Sequence, residues 1–120
     1  MKKTLLLVIT LISIVSLAFV APEEALLKTS LRITVINELG NTEEGVVLKL
    51  YPTEDDYKEE TNMIGDSIVT DKKGRATFKD LEPIIYFVSA EKGTKNNHGA
   101  GIQTNPLEEG KMNKVNIVIE

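Results

Sequence analysis

Beyond residue 30 the apolar residues of this chain recur at every second position, and clusters of Gly, Pro, Asn and Asp separate the runs. A period of two belongs to strands, whose successive side chains point to opposite faces. Leu31, Ile33 and Val35 alternate with Arg32, Thr34 and Ile36, after which Gly40, Asn41 and Gly45 interrupt the pattern. Val46, Leu48 and Leu50 alternate with Val47, Lys49 and Tyr51 as far as Pro52, which has no N–H for a ladder and belongs at a strand end or edge. Thr53 to Asn62 is dense in charge and predicts an exposed crossover with room for one helical turn. Ser67 to Thr70 predicts a short strand and Arg75 to Phe78 its antiparallel return, joined by Asp71-Lys72-Lys73-Gly74 as a type I turn with a left-handed Gly.

After a corner at Asp80 to Pro83, the run Ile84 to Ala90 is the most strand-like in the chain and predicts a central strand. Tyr86, Val88 and Ala90 share one face of it; Ile85, Phe87 and Ser89 share the other. Glu91 to Gly99 reads as a loop, Ala100 to Thr104 as a brief pairing, and Met112 to Glu120 as a closing strand with Val115, Ile117 and Ile119 inward. Seven short runs and no long amphipathic helix predict an all-β protein, a single antiparallel seven-stranded β-sandwich over residues 31–120.

Composition changes the picture at the N-terminus. Of the first 21 residues 15 are apolar, against 35 of the remaining 99. Lys2 and Lys3 followed by the uncharged run Thr4 to Ala21 form a basic start and an apolar core, which predicts an N-terminal signal helix. Its length leaves two fates open, a cleaved signal peptide over residues 1–21 or a retained membrane anchor. Eighteen helical residues at about 1.5 Å each approach the ~30 Å thickness of a bilayer core. Residues 22–30 read as a linker. The export signal places the domain in the periplasm or at the cell surface, membrane-tethered if the leader stays.

The chain is acidic, with a net charge of -4 that becomes -6 without residues 1–21, so a nucleic-acid partner is not expected. The absence of Cys excludes a disulfide framework, a thiolate zinc site and a cysteine nucleophile.

The stretch Thr70-Asp71-Lys72-Lys73-Gly74-Arg75-Ala76-Thr77-Phe78-Lys79-Asp80-Leu81-Glu82-Pro83-Ile84-Ile85-Tyr86-Phe87-Val88-Ser89-Ala90 resembles the hallmark of carboxypeptidase regulatory-like and Cna-B-like domains. These are transthyretin-like (prealbumin-like, Ig-like) sandwiches of exported bacterial proteins. Leu31 to Val35 followed by Gly45 to Tyr51 is similar to the family's first hairpin, and the likeness departs at Ile85, where many members have Gly. The resemblance implies a scaffold, which does not carry a function with it. Hydrolases on related sandwiches use several His and Arg and a C-terminal Tyr-Arg-Gly-Ser. This chain has His98, two Arg and the ending Asn116 to Glu120. Family members that cross-link a strand Lys to an Asn imply a Lys on the first strand, where Arg32 stands here, and Lys49 alternates with inward Leu48 and Leu50.

Three groups remain as candidate chemistry. Val47, Ile85, Phe87 and Val118, with Ile36, fall opposite the inferred core and predict one of two things: a partner surface with Phe87 as an exposed anchor, or a face covered by the chain's own N-terminal stretch and loops. Asn96, Asn97 and His98 lie in a polar loop that predicts a recognition loop for a protein or glycan. The acids Asp55, Asp56, Glu59 and Glu60 lack the Gly and alternating oxygen ligands of a calcium loop. No catalytic, cofactor or metal residue is expected. The domain therefore reads as a non-enzymatic binding or structural module of the bacterial cell envelope whose partner is another envelope protein or a glycan. Its membrane association is expected only through the leader. The alternative is a small hydrolase or metal-dependent enzyme using His98 with nearby acidic residues, which would place His98 beside a carboxylate or hydroxyl in a concave pocket.

Overall fold

A computed structural model describes residues 28–120; the expected leader and most of the expected linker lie outside them. The described chain runs β1 (Thr29–Asn37), β2 (Val47–Tyr51), α1 (Glu54–Glu59), β3 (Ile68–Val69), β4 (Arg75–Leu81), β5 (Phe87–Lys92), β6 (Lys95–Asn96) and β7 (Met112–Ile119). Seven strands form two sheets, β4-β1-β7 and β3-β2-β5-β6. The all-β sandwich is the expected fold. β1 starts at Thr29, so two residues of the expected linker belong to the domain.

Alternation places the core where the sequence predicts it. Leu31, Ile33 and Val35 of β1, Val46, Leu48 and Leu50 at β2, and Val88, Ala90 and Ile119 have no exposed surface. With Tyr86, Phe78, Leu107 and Ile117 they make one cluster between the sheets, and Val115 packs against it. Each fully buried Val, Leu or Ile side chain contributes about 1.5–3 kcal/mol by leaving water.

The strand partners differ from expectation in three places. β1 pairs β7 in parallel, from Ser30 opposite Met112 to Asn37 opposite Ile119, so the sandwich is not wholly antiparallel. The first and last strands are joined through the whole domain, and no hairpin forces them to oppose. β1 and β2 sit in different sheets and do not form a first hairpin. The turn Asp71 to Gly74 also crosses between sheets: β3 pairs β2, while β4 pairs β1. The expected central strand is shorter than Ile84 to Ala90, because β5 begins at Phe87 and the residues before it bond sideways. There the Tyr86 N–H donates to Thr104 Oγ1 and the Leu107 N–H to the Ile84 carbonyl. β5 does lie inside its sheet, between β2 and β6.

Local chemistry holds the connections. The Asp71 turn forms as predicted: the Gly74 N–H donates to the Asp71 carbonyl at 2.9 Å, and Gly74 has φ +73°. Asp71 Oδ1 accepts the N–H groups of Lys73 and Arg75 at 2.8 and 3.0 Å. Those two bonds, then the nearby charges of Arg75 and Lys73, hold its carboxyl below the ordinary carboxylate range. Buried Thr70 accepts from the Val46 N–H and donates to the Glu43 carbonyl, tying the start of β2 to the end of β3.

Candidate functional site on the outer face of the four-stranded sheet

The charged stretch after Pro52 folds into α1, which lies across the outer faces of β2 and β5. Thr53 caps it, its Oγ1 accepting the Asp56 N–H at 3.1 Å and donating to Asp56 Oδ2 at 2.8 Å. Asp56 Oδ1 accepts from Asn62 Nδ2 and Thr61 Oγ1, so one carboxylate closes both ends of the helix. Asn62, then Thr53, keep that carboxyl lower than usual. Among the described residues no group of three or more His, Asp or Glu is placed to hold a metal ion.

α1 brings Tyr57 down onto the sheet. Its ring meets Tyr51, at the end of β2, edge to face with centroids 6.0 Å apart, and meets His98 in the same manner at 6.0 Å. His98 Nε2 lies 4.0 Å from Glu91 Oε1, both side chains about half exposed. With Ser89 and Ile102 these residues line an open concavity of about 260 Å³. Desolvation, then the Glu91 charge and Tyr51, push the Tyr57 phenol above its ordinary value. Glu60 and Lys58 of the helix end also line it, so the arrangement offers an aromatic wall, one imidazole, two carboxylates and one ammonium group to a small polar group. His98 and Glu91 are too far apart for a hydrogen bond, which needs about 2.6–3.2 Å.

The expected sites are distributed differently. Asn97 is fully buried and cannot recognise a ligand. Its Nδ2 donates to the carbonyls of Val88 (2.8 Å) and Gly101 (3.1 Å), and its Oδ1 accepts the Ala90 N–H at 2.9 Å. The amide thus continues the ladder on β5 where the two-residue strand β6 ends. Asn96 is half-buried and its Oδ1 accepts the His98 N–H. Of the three, only His98 faces a concavity.

The four apolar residues expected at a partner surface are not gathered on one face. Val47 is exposed on the outer face of the four-stranded sheet beside Val69. Val118, opposite Ile36, is half-buried on the outer face of the other sheet. Ile85 is half-buried and precedes β5. Phe87 is half-buried rather than an exposed anchor, in register with Tyr51, which α1 covers. Tyr51, Tyr57 and Glu91 escaped the sequence reading because register and a crossover helix, both non-local, bring them to His98.

No family model matches the chain, and no curated protein matches it. Among solved structures, a streptococcal ancillary pilin superposes with a TM-score of 0.59 at 16% identity, over 78% of this chain and 32% of the pilin. The fold is shared. The chain spans about a third of that pilin's length. The Bacillus anthracis TIE protein (TM-score 0.46, 16% identity, 76% and 16% of the two chains) and the group B streptococcus pilus 2b backbone protein (0.48, 14%, 75% and 40%) superpose less well.

Proposed function

We propose that this protein is an exported, non-enzymatic β-sandwich module of the bacterial cell envelope, of the carboxypeptidase regulatory-like or Cna-B-like kind, acting by binding or supporting another envelope component. The observation that carries the reading is the sandwich scaffold it has in common with an ancillary pilin. The use of buried polar groups agrees with it in four of five cases: Thr29, Thr70, Asn97 and Thr104 all bind backbone, and Ser89 alone lines the concavity beside His98. The basic start and apolar run of residues 1–21 support export.

A second reading has one observation in its favour. His98 does sit beside Glu91 and Tyr57 in a concavity, as a small hydrolase would require. The separation of the pair and the exposure of both side chains weigh against it. Affinity capture of the full chain from intact cells, with surface digestion to locate it, tests the first reading. His98→Ala is expected to retain surface exposure, captured partner and biological role. Loss of function in a stable, exported His98→Ala protein would put the enzyme reading ahead.

A further inference from the structure

The outer face of the three-stranded sheet carries a charge opposite to that of the whole molecule. On β1 the outward residues Arg32 and Thr34 stand between Ser30 and Ile36. Register sets Arg32 between Thr77 of β4 and Lys114 of β7, and sets Thr34 between Arg75 and Asn116. Lys72 and Lys73 stand on the adjoining turn, and Lys79 lies two residues beyond Thr77 on β4. Among the described residues none of these six cations makes an ion pair, although the chain is acidic overall.

Folding alone does not account for that face. Arg32 and Lys114 are direct cross-strand neighbours, and like charges placed opposite one another destabilise a sheet. A single nearby carboxylate would relieve them, yet Asp71 is engaged by the two backbone N–H groups of its own turn. Arg32, Lys72, Lys73, Arg75 and Thr77 line a concavity of about 480 Å³ together with Asp71 and Ala76. Against the one carboxylate of Asp71, two guanidinium groups and two ammonium groups leave the hollow net positive, and with the Thr77 hydroxyl they suit an anion that accepts from several directions.

We propose that this face binds a linear phosphate-bearing polymer. Three strands about 4.8 Å apart spread the cations over roughly 10 Å, more than one phosphate covers. Lys114 and Lys79 extend the site beyond the hollow, so the ligand is a chain of anionic groups. Among the described residues no aromatic side chain faces outward from this sheet, so the base stacking that single-stranded nucleic acids use is not offered. The concavity suits a chain better than the flat face of a bilayer.

The test uses the full chain in non-ionic detergent and a fluorescently labelled linear polyphosphate, read by anisotropy. Binding is expected, weakening at least tenfold between about 50 and 200 mM salt, as neutralised phosphates release counter-ions. Lys72→Glu with Lys73→Glu, on an exposed turn, and separately Arg75→Glu are each expected to weaken it at least tenfold with an unchanged circular dichroism spectrum. Lys58→Glu, on α1 across the molecule, is expected to leave it within twofold. Failure of the polyphosphate to bind, or equal weakening by Lys58→Glu, would overturn the proposal. So would tighter binding to anionic vesicles or single-stranded DNA, and so would self-association that the same variants abolish without any polyphosphate binding.

Discussion

The Tyr86 hydroxyl is bonded twice to Glu82, accepting its backbone N–H and donating to its carbonyl, both at 3.0 Å. The ring is 2% exposed in the core. One side chain therefore packs between the sheets and pins the Glu82–Pro83 corner four residues upstream, the device known in immunoglobulin-like sandwiches as a tyrosine corner. Tyr86→Phe keeps the packing, leaves the Glu82 N–H without its partner and leaves the Glu82 carbonyl with the Ile84 N–H alone. A loss of about 1–3 kcal/mol of unfolding free energy is expected by urea titration.

The same residue predicts alkaline behaviour. Burial pushes its phenol up, the bond to the Glu82 carbonyl makes its second-largest contribution by opposing that shift, and the Glu82 charge adds to the rise. A raised folded-state value means that the unfolded chain loses its proton first. The stabilisation is complete below the unfolded value of about 10 and declines as pH rises through the folded one. The fall in urea midpoint above pH ~10 should be smaller in Tyr86→Phe than in the unmodified protein.

Asn97→Ala would leave the Ala90 N–H and two carbonyls without their present partners at a fully buried position. A loss of about 3 kcal/mol is expected, with faster amide exchange at Ala90. His98→Ala, one residue on and exposed, should stay within about 0.5 kcal/mol. Equal effects at the two positions would contradict the ladder role of Asn97.

Gly74 and Gly110 have nearly the same left-handed backbone, with φ of +73° and +71°. A Cβ at Gly74 would come within 2.9 Å of Thr42 Cβ and of the Val35 carbonyl oxygen, while at Gly110 it would meet nothing within 4 Å. Ala at Gly110 should cost the backbone penalty alone, about 1–2 kcal/mol. Ala at Gly74 should cost clearly more by thermal or urea unfolding, and a smaller cost there would mean that both Thr42 and the Val35 backbone give way freely.

Acid should weaken the domain through its turns. The Asp71 carboxyl is held down by the backbone N–H groups of Arg75 and Lys73, and Glu43 by its hydrogen bonds to Lys92 and Asn37. Depressed values mean stabilisation present above the unfolded carboxylate range near pH 4 and lost as pH falls through the folded values. Asp71→Asn should therefore show a flatter decline of urea midpoint between pH ~5 and 2 than the unmodified protein.

Sequence alone determined which side chains face inward: Leu31, Ile33 and Val35, Val46, Leu48 and Leu50, and Tyr86, Val88 and Ala90 are all buried as their alternation requires. It also determined the Asp71–Gly74 turn, because an Asp acceptor and a left-handed Gly act within four residues. Tertiary structure alone decided the partners. Alternation assigns a side chain to one of two faces but names no neighbour, so nothing local could say that β1 pairs β7 in parallel or that the Asp71 turn changes sheets. The outward residues depend on those partners. Val47 and Val118 look equivalent along the chain and lie on opposite outer faces, while Asn97 looks like any loop amide until an ending strand leaves β5 in need of one. Arg32, Arg75 and Lys114 are far apart in sequence and become one basic face through register, which exists only after the sheet has formed.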